Sequence, residues 1–359
     1  MDLNKVIVFQ TWGIGDLIMA TPMLAALRRE LPRAHISVVV GTRVAGQVIA
    51  DSALCDELKV MLPGTMKFAA LVKWFYGLRR ERYDAALVCT RISYKIGLFL
   101  RLFSGIPIIA GDSAAGRHRG YTHWIVGDDS RHRVDLNMAI LRLLLPNAER
   151  GKLFFRTTPE SVAEGEAFWK EVDLQDHTVL GVHPGGSSNQ KNKRFPPDKF
   201  KRVIEGFLDS FPDARVVVFI GDDESDLAGH FVDGDRRVMV ASGLSLNAVG
   251  HVVGKLAVLL AGDSGLGHIA AAMGTPVVTL AGPTNCTATR PWYEQCRVVR
   301  TEQKLTCMPC VDTQAYYSCP DPVCMRTLDE GRILAALSDS LLTSSRIPKD
   351  HPPLPLTRG

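Results

Sequence analysis

The feature that most constrains the fold of this chain is a regular alternation of short β-branched segments with longer amphipathic ones. In the first half, helices are predicted over residues 16–31 and 68–82, and strands over residues 6–9, 36–40, 85–88 and 106–110. This alternation is typical of parallel sheets whose strands are joined by helical crossovers. We therefore predict an α/β fold built on an open parallel sheet.

The same alternation starts again after a polar stretch that begins at Thr157. The predicted strands of the second half cover residues 179–182, 215–220, 256–260 and 277–280, and its helices cover residues 197–211, 246–253, 265–273 and 328–342. We expect two domains, residues 1–170 and residues 171–345, followed by a disordered, proline-rich tail at residues 346–359. Because open parallel sheets bind ligands at the carboxyl ends of their strands, a site is expected in the cleft between the two domains.

The composition excludes several classes of protein. The chain has 359 residues, of which 46% are hydrophobic and 22% are charged, and this balance is typical of folded globular proteins. It contains no run of about 18 uncharged apolar residues, and its N-terminus lacks the pattern of a secretory signal. We expect a cytoplasmic protein, and peripheral contact with the inner face of the cytoplasmic membrane stays an open alternative.

The charge of the chain is unevenly distributed. Residues 1–170 hold 23 Lys and Arg against 16 Asp and Glu, whereas the remainder holds 19 against 22. Solvated helix faces would account for this surplus, and so would a positive surface for an anionic substrate or a lipid. A nucleic-acid partner is disfavoured, because no binding motif is present and the pI of about 8.6 is only mildly basic.

A first glycine motif stands where the first predicted strand turns into the first predicted helix. It contains Gly13, Gly15 and Asp16. Glycines let backbone amides approach a ligand, and a helix N-terminus favours negative charge, so the segment suits an anion or a catalytic carboxylate. Asp16 could equally be a simple helix cap. A dinucleotide site is not indicated, because Ile18 replaces the third glycine and Gly41 stands where an acid would follow the second strand.

Two further motifs lie in the second half. One runs from His183 through Gly185 to Lys193 and offers hydroxyls, unhindered amides and cations ahead of a helix, as a phosphate loop would. The alternative is an ordinary glycine turn with solvated lysines. The other motif runs from Asp263 to His268 at the start of a predicted helix, where free N–H groups could bind a pyrophosphate. His268 is also compatible with a buried core histidine.

In this order, the three motifs resemble those of the glycosyltransferases of family nine, whose best-known members are the ADP-heptose:lipopolysaccharide heptosyltransferases. The resemblance extends from Val6 to about Leu342. It also includes Thr21-Pro22 after the first motif, Gly221 with acids downstream, and Gly282-Pro283-Thr284. The ordered set is far more specific than any one of its members.

The resemblance implies a GT-B architecture, with two Rossmann-like domains facing each other across a cleft. The C-terminal domain would bind the nucleotide-sugar donor, ADP-heptose, and the basic N-terminal domain would bind an anionic lipopolysaccharide core acceptor. The implied reaction is an inverting transfer that needs neither a cofactor nor a metal, because a helix dipole and Lys193 can stabilise the leaving ADP.

The resemblance also assigns roles to residues by position. Asp16 matches the catalytic carboxylate that deprotonates the acceptor hydroxyl, and Lys193 matches the lysine that neutralises the donor diphosphate. The residues assigned to the donor site are Gly13, Gly15, Ser187, Ser188, Glu224, Leu244, Asp263, Ser264, Gly265, Leu266 and His268. Leu244 would cover the adenine. The acid that binds the ribose is one of Asp222, Asp223, Glu224 and Asp226, of which we favour Glu224.

Several questions stay open at this level. The four cysteines at Cys307, Cys310, Cys319 and Cys324 have a spacing that would serve reduced structural thiols, a structural metal or disulfides, although a reducing cytosol disfavours disulfides. The function could also differ from ADP-heptose transfer. The alternatives are a family member with another nucleotide sugar or acceptor, a sugar-nucleotide epimerase of the same architecture, and a non-catalytic nucleotide-sugar sensor.

Overall fold

A computed structural model describes residues 3–62, 64–89, 93–113, 118–127, 129–186, 188–231 and 234–344 of the chain. The contacts within it divide the chain into two compact units, one ending at Arg156 and the other beginning at Thr157. The tail predicted for residues 346–359 lies outside the described residues. Within the described part of the chain, no helix is both long and apolar enough to cross a bilayer.

The first unit is built on a six-stranded parallel sheet. Its strands are β1 (Lys5–Gln10), β2 (His35–Val40), β3 (Glu57–Val60), β4 (Ala85–Val88), β5 (Ile108–Asp112) and β6 (His123–Ile125). Its helices are α1 (Ile14–Glu30), α2 (Arg43–Gly46), α3 (Phe68–Gly77), α4 (Ser93–Phe99) and α5 (Arg133–Arg142). The strand order is β3-β2-β1-β4-β5-β6, which is the order of the Rossmann fold.

Helix α1 is largely buried, and its interior contains Pro22. Proline has no N–H, so Pro22 cannot donate to the carbonyl of Ile18 as a helical residue normally would. The hydroxyl of Thr21 donates to that carbonyl instead, over 2.7 Å. The same hydroxyl oxygen accepts the N–H of Phe154 at 2.9 Å. The Thr21-Pro22 pair therefore keeps this helix continuous without leaving a buried carbonyl unpaired.

Another helical layer packs on the face of this sheet that carries Ile7 and Phe9. It consists of α3, a short 3-10 turn at Leu78–Arg80, α4, and a π-helical turn at Leu100–Ser104 that continues α4. Phe75 of α3 stacks on Phe9 with ring centroids 6.1 Å apart. Phe75, Leu100, Ile7 and Phe9 belong to one apolar cluster.

The second unit repeats the architecture. Its strands are β7 (Val179–His183), β8 (Arg215–Phe219), β9 (Val238–Ala241), β10 (Val258–Gly262), β11 (Val277–Leu280) and β12 (Cys296–Val299). They are all parallel, in the order β12-β11-β10-β7-β8-β9. Read from β9, this is again the Rossmann order, and the direction of winding reverses between β7 and β10.

The helices of the second unit surround this sheet. They are α6 (Pro159–Glu171), α7 (Pro197–Ser210), α8 (Ser225–Ala228), α9 (Leu246–Lys255), α10 (Gly265–Ala272), α11 (Cys286–Thr289), α12 (Gln314–Tyr317), α13 (Val323–Arg326) and α14 (Glu330–Ser344). Helix α6 packs on α9, where Glu166 forms an ion pair with Lys255 at 2.7 Å. By its contacts α6 thus belongs to the second unit, whereas the sequence predicts a domain boundary after residue 170.

The prediction of parallel α/β sheets is confirmed. All eight predicted strands are present, although β5 and β10 begin two residues later than predicted. The sequence analysis did not predict four strands, which are β3, β6, β9 and β12. Each of these lies at an edge of its sheet.

Candidate active site

A cluster of polar side chains lies at the carboxyl edge of the second sheet. His183 ends β7, and Asp263 follows β10, the neighbouring strand. Because the winding of the sheet reverses between these strands, the chain diverges on either side and leaves a crevice where open α/β sheets bind their ligands. The residues of the second and third sequence motifs therefore meet at this edge.

His183 connects two parts of the cluster. Its Nε2 lies 3.1 Å from Oε2 of Glu224, and its Nδ1 lies 2.9 Å from Oγ of Ser264. Since a carboxylate only accepts hydrogen bonds, the Nε2–H donates to Glu224, and in the neutral ring Nδ1 accepts the Ser264 hydroxyl. Ser264 precedes α10, yet its side chain does not cap that helix. The hydroxyl is thus turned away from the first N–H groups of α10.

Glu224 is a buried carboxylate with only 5% of its surface exposed. It accepts hydrogen bonds from the N–H of Gly186 at 2.5 Å and of Gly221 at 3.0 Å, besides that of His183. Burial alone would raise the pKa of Glu224, but His183 and the two amides outweigh it and hold the pKa below its ordinary value of 4.5. Three donors surround a carboxylate that can accept about four hydrogen bonds, so a further donor can still bind.

The glycine at position 185 is required by this arrangement. A Cβ atom there would lie 2.0 Å from the carboxyl group of Glu224, which is far inside van der Waals contact. Glu224 can therefore approach the loop after β7 only where the loop has no side chain. This contact gives the glycine of the His183-Pro184-Gly185 sequence a structural reason.

Lys193 belongs to a second network at the same edge. Its Nζ lies 2.9 Å from Oδ2 of Asp263, and the hydroxyl of Thr284 donates to the same oxygen at 2.8 Å. The side chains of Lys193 and Asp263 are only 14% and 11% exposed. An ammonium group has three N–H donors. Lys193 can therefore donate to a bound anion while its hydrogen bond to Asp263 keeps the ammonium group in position.

The remaining residues predicted for this site lie around the two networks. Gly265 begins α10, and Leu266 and His268 are buried within that helix. Leu244 is half-buried immediately before the cap of α9, after Gly243, whose φ of 74° is in the left-handed region that favours glycine. Ser187 lies outside the described residues, as does the side chain of Ser188.

The alternative acids for the ribose differ from Glu224 in exposure. Asp222 is exposed, and Asp226 lies at the surface, where it pairs with Arg194 at 3.2 Å. The side chain of Asp223 is outside the described part. Among the described alternatives, Glu224 is the buried one.

The first glycine motif occupies the equivalent position in the first unit, directly after β1. Gly13 is the extended residue that precedes α1, and Gly15 and Asp16 lie in the first turn of that helix. Asp16 is half-buried. A Cβ atom at Gly41 would lie 2.2 Å from the carbonyl oxygen of Thr11, so the acid of a dinucleotide site would not fit after β2.

The cysteine cluster contains no disulfide. Burial, together with the nearby Cys310, Cys307 and Cys319, raises the pKa of Cys324 to about 11. The Cys324 thiol therefore stays protonated at neutral pH. Across the described part of the chain, no group of three or more His, Cys, Asp or Glu side chains is arranged to hold a metal ion.

His183 and Thr284 belong to the networks, although neither was among the predicted site residues. Both stood in the motifs that carried the family resemblance, as the first residue of His183-Pro184-Gly185 and the last of Gly282-Pro283-Thr284. Their position in those motifs is the signal that could have found them. Their partners lie too far away in the sequence to be inferred from spacing.

Comparison with known proteins places this geometry in context. The model of glycosyltransferase family 9 (heptosyltransferase) matches residues 71–319. Lipopolysaccharide heptosyltransferase 3 of Escherichia coli (strain K12) is 27% identical over 307 residues, which are 78% of this chain and 83% of that protein. Lipopolysaccharide heptosyltransferase 2 of the same strain is 23% identical over 319 residues, or 82% of this chain and 88% of that protein.

Solved structures show the same architecture. The glycosyl transferase family 9 protein of Veillonella parvula DSM 2008 superposes with a TM-score of 0.80 at 20% identity, over 96% of this chain and 98% of that one. The ADP-heptose LPS heptosyltransferase II of E. coli has a TM-score of 0.69 at 20% identity, over 96% of this chain and all of that one (100%). These structures confirm the two-sheet GT-B fold that the resemblance implied.

Proposed function

The chain belongs to glycosyltransferase family 9, and on this premise we propose that it transfers a heptose from ADP-heptose to an inner-core sugar of lipopolysaccharide. The proposed transfer inverts the anomeric carbon and needs no metal ion. The second unit binds the donor, and Asp16 of the first unit acts as the general base.

The observation that carries the proposal is the network of Lys193, Asp263 and Thr284 beside the N-terminus of α10. In the proposed reaction the bond between the anomeric carbon and the diphosphate breaks, so negative charge develops on the leaving ADP. Lys193 and the helix N-terminus stabilise that charge. Because Asp263 holds the ammonium group at 2.9 Å, little reorganisation is needed when the charge appears.

The nucleoside of the donor is assigned to Glu224 and Leu244. One ribose hydroxyl donates to the acceptor position that Glu224 retains beside His183 and the two amides. The lowered pKa of Glu224 supports this role, because a carboxylate accepts a hydroxyl better than a neutral carboxyl group does. The half-buried Leu244 covers one face of the adenine.

Asp16 is assigned to the acceptor. As the acceptor oxygen forms its bond to the anomeric carbon, its proton passes to the carboxylate of Asp16. This transfer requires the hydroxyl to come within about 3 Å of the carboxylate. The carboxylate stands in the first turn of α1, where the helix N-terminus favours its charged form before the proton arrives.

The acceptor is proposed to be anionic because the charge of the chain favours it. The first 170 residues carry 23 Lys and Arg against 16 Asp and Glu, while the donor-binding part has a surplus of acids. Phosphorylated core oligosaccharides match that asymmetry.

The experiment that tests the proposal is a transfer assay with ADP-heptose and a lipopolysaccharide core that keeps the accepting inner-core sugar but lacks the heptose to be added to it. We expect one equivalent of ADP for each heptose added, measured by nucleotide chromatography and by the mass of the core product. ADP-glucose and UDP-sugars serve as control donors. Transfer from a control donor but not from ADP-heptose would contradict the donor assignment. Release of free sugar without acceptor would indicate an epimerase instead.

A further inference from the structure

One stretch of the first unit is much more basic than the rest of the chain. Residues 61–127 contain 10 Lys and Arg and only 3 acids. The net charge of the whole chain is +4, so outside this stretch acids are in surplus. The stretch includes α3, α4 and the π-helical turn that follows α4.

In the described part of the chain, the three acids of this stretch form no ion pair with Lys67, Lys73, Lys95 or Arg101. Glu81 forms an ion pair with Lys59 at 3.1 Å. Asp84 accepts the backbone N–H groups at the start of β1, and Asp112 accepts the N–H of Gly127 at 2.9 Å. Each acid is therefore engaged within the fold, and the surface keeps its positive charge.

The same elements expose large apolar side chains. Phe68 of α3 is 71% exposed, and Leu102 of the π-helical turn is 60% exposed. Tyr76 and Leu98 are exposed as well. The apolar residues that α3 needs for packing are others, chiefly Phe75, which is buried against the sheet. The exposed ones are thus not explained by the core of the unit.

These side chains lie at the surface of elements that pack against one another, since α3 and α4 both contact the π-helical turn. The rings of Phe68 and Phe99 are in contact with centroids 5.8 Å apart, which joins the start of α3 to the end of α4. The exposed residues of this surface are Lys67, Phe68, Lys73, Tyr76, Lys95, Leu98, Arg101 and Leu102. We call this set the α3–α4 face.

We propose that the α3–α4 face docks on the surface of an anionic lipid bilayer. Single exposed apolar residues are normal in globular proteins, but aromatic and aliphatic side chains interleaved with unneutralised cations are typical of segments that lie in a membrane interface. The cations attract anionic headgroups, and Phe68 and Leu102 enter the boundary of the acyl chains. A soluble anionic glycan would use the cations and leave these apolar side chains in water. The inference does not depend on the identity of the donor or of the acceptor.

The test is sedimentation of the full chain with vesicles. One kind of vesicle contains phosphatidylcholine only. The other contains phosphatidylcholine with about one third phosphatidylglycerol, an anionic lipid whose negative surface attracts cations. We expect the chain to sediment with the anionic vesicle and to be released when NaCl approaches about 1 M, where the Debye length falls to about 3 Å. If the chain stays in solution with anionic vesicles at low salt, the proposal is overturned.

Paired variants locate the binding surface. Lys73→Glu with Arg101→Glu should weaken binding to anionic vesicles about tenfold or more, because each cation at the surface contributes about 1 kcal/mol. Arg236→Glu with Lys304→Glu makes the same change in net charge at exposed positions of the second unit and should leave binding within about twofold. Equal weakening by both pairs would mean that net charge alone drives the binding, which would refute the α3–α4 face.

The apolar contribution has its own pair of variants. Phe68→Ser with Leu102→Ser should weaken vesicle binding about tenfold, whereas Tyr317→Ser with Leu342→Ser, two residues that are 62% and 68% exposed, should not. An unchanged affinity of the Phe68 and Leu102 variant would contradict insertion into the bilayer. ADP binding and the melting temperature should match wild type in every variant, which shows that each one folds.

A soluble core oligosaccharide without its lipid separates this inference from the proposed transfer. The Phe68→Ser with Leu102→Ser variant, which keeps every cation of the face, should transfer heptose to that acceptor as fast as wild type. If wild type shows no transfer at all, the proposed function fails while the vesicle result stands. If the variants lose affinity for the soluble glycan and none for vesicles, the face binds glycan and the bilayer proposal is wrong.

Discussion

The two units share one strand order, but the segments that follow their first strands are built differently. After β7, the second unit presents His183, which is connected to Glu224 and Ser264, beside the Lys193–Asp263 pair. After β1, the first unit presents a glycine turn and one carboxylate, Asp16, in the first turn of α1.

This difference shows that the fold alone does not determine what each unit does. Several charged and polar groups held against one another at the second sheet are suited to holding a charged ligand in a fixed position. A carboxylate at a glycine-rich helix start is suited to accepting a proton from a group that approaches it closely. We therefore attribute binding of the donor to the second unit and proton transfer to the first.

The largest expected effect is on the first unit. Asp16→Asn should lower the rate of heptose transfer by about 100- to 10,000-fold, the usual contribution of a general base. Binding of ADP, measured by calorimetry, should stay within about twofold of wild type, because the base does not hold the donor. Glu30→Gln, a carboxylate at the other end of the same helix, is the control and should have no effect. Unchanged turnover of the Asn variant would refute the assignment of Asp16.

The next largest effect is expected at the diphosphate position of the second unit. Lys193→Met should lower the affinity for ADP about 10- to 100-fold, because a hydrogen bond to a charged group is lost. The affinity for adenosine, which has no phosphate, should be nearly unchanged. Lys191→Met removes an exposed cation two residues away, which pairs with Asp226 at 3.6 Å, and serves as the control. An equal loss for ADP and adenosine would show that Lys193 supports the fold of the site rather than the phosphates.

A smaller effect is expected at the nucleoside position. Glu224→Gln keeps the size of the side chain but removes its charge, so the affinities for adenosine and for ADP should both fall about tenfold. The loss for both ligands distinguishes this residue from Lys193. If adenosine binds the variant as well as wild type, the ribose is held elsewhere.

The smallest predicted effect is on stability in acid. The pKa of Glu224 is below its ordinary value of 4.5, so its carboxylate stabilises the fold above that pH, and this stabilisation is lost as the pH falls. The melting temperature of wild type should therefore fall more steeply than that of Glu224→Gln between about pH 5 and about pH 3. Parallel curves for the two proteins would contradict the charged, hydrogen-bonded state of Glu224.

The central strands could be predicted from the sequence, and the edge strands could not. β1, β4, β7 and β10 are buried almost throughout, so they consist of apolar and small residues with clear boundaries. The four strands that were missed lie at sheet edges, where most of their residues are half-exposed. Charged or histidine side chains interrupt the apolar pattern in β3, β6 and β12, whereas β9 is apolar but only four residues long. These segments are strands because each pairs with a neighbouring strand, and the local sequence pattern does not reveal that pairing.

The candidate site shows the same limit. The position of each motif after a strand was predictable, because glycines and polar residues there interrupt the β-branched pattern. The partners were not, since Lys193 and Asp263 are 70 residues apart and His183 and Ser264 are 81 residues apart. The folded sheet brings β7 and β10 together and thereby forms both networks.

Hydrogen–deuterium exchange of wild type with and without ADP tests the division of labour between the units most directly. The account predicts that ADP slows exchange most in peptides from the second unit that contain His183 to Gly186, Gly221 to Glu224 and Asp263 to His268, and much less in peptides around Gly13 to Asp16. Protection by ADP of the peptides around Asp16, without protection of those around Asp263, would contradict it.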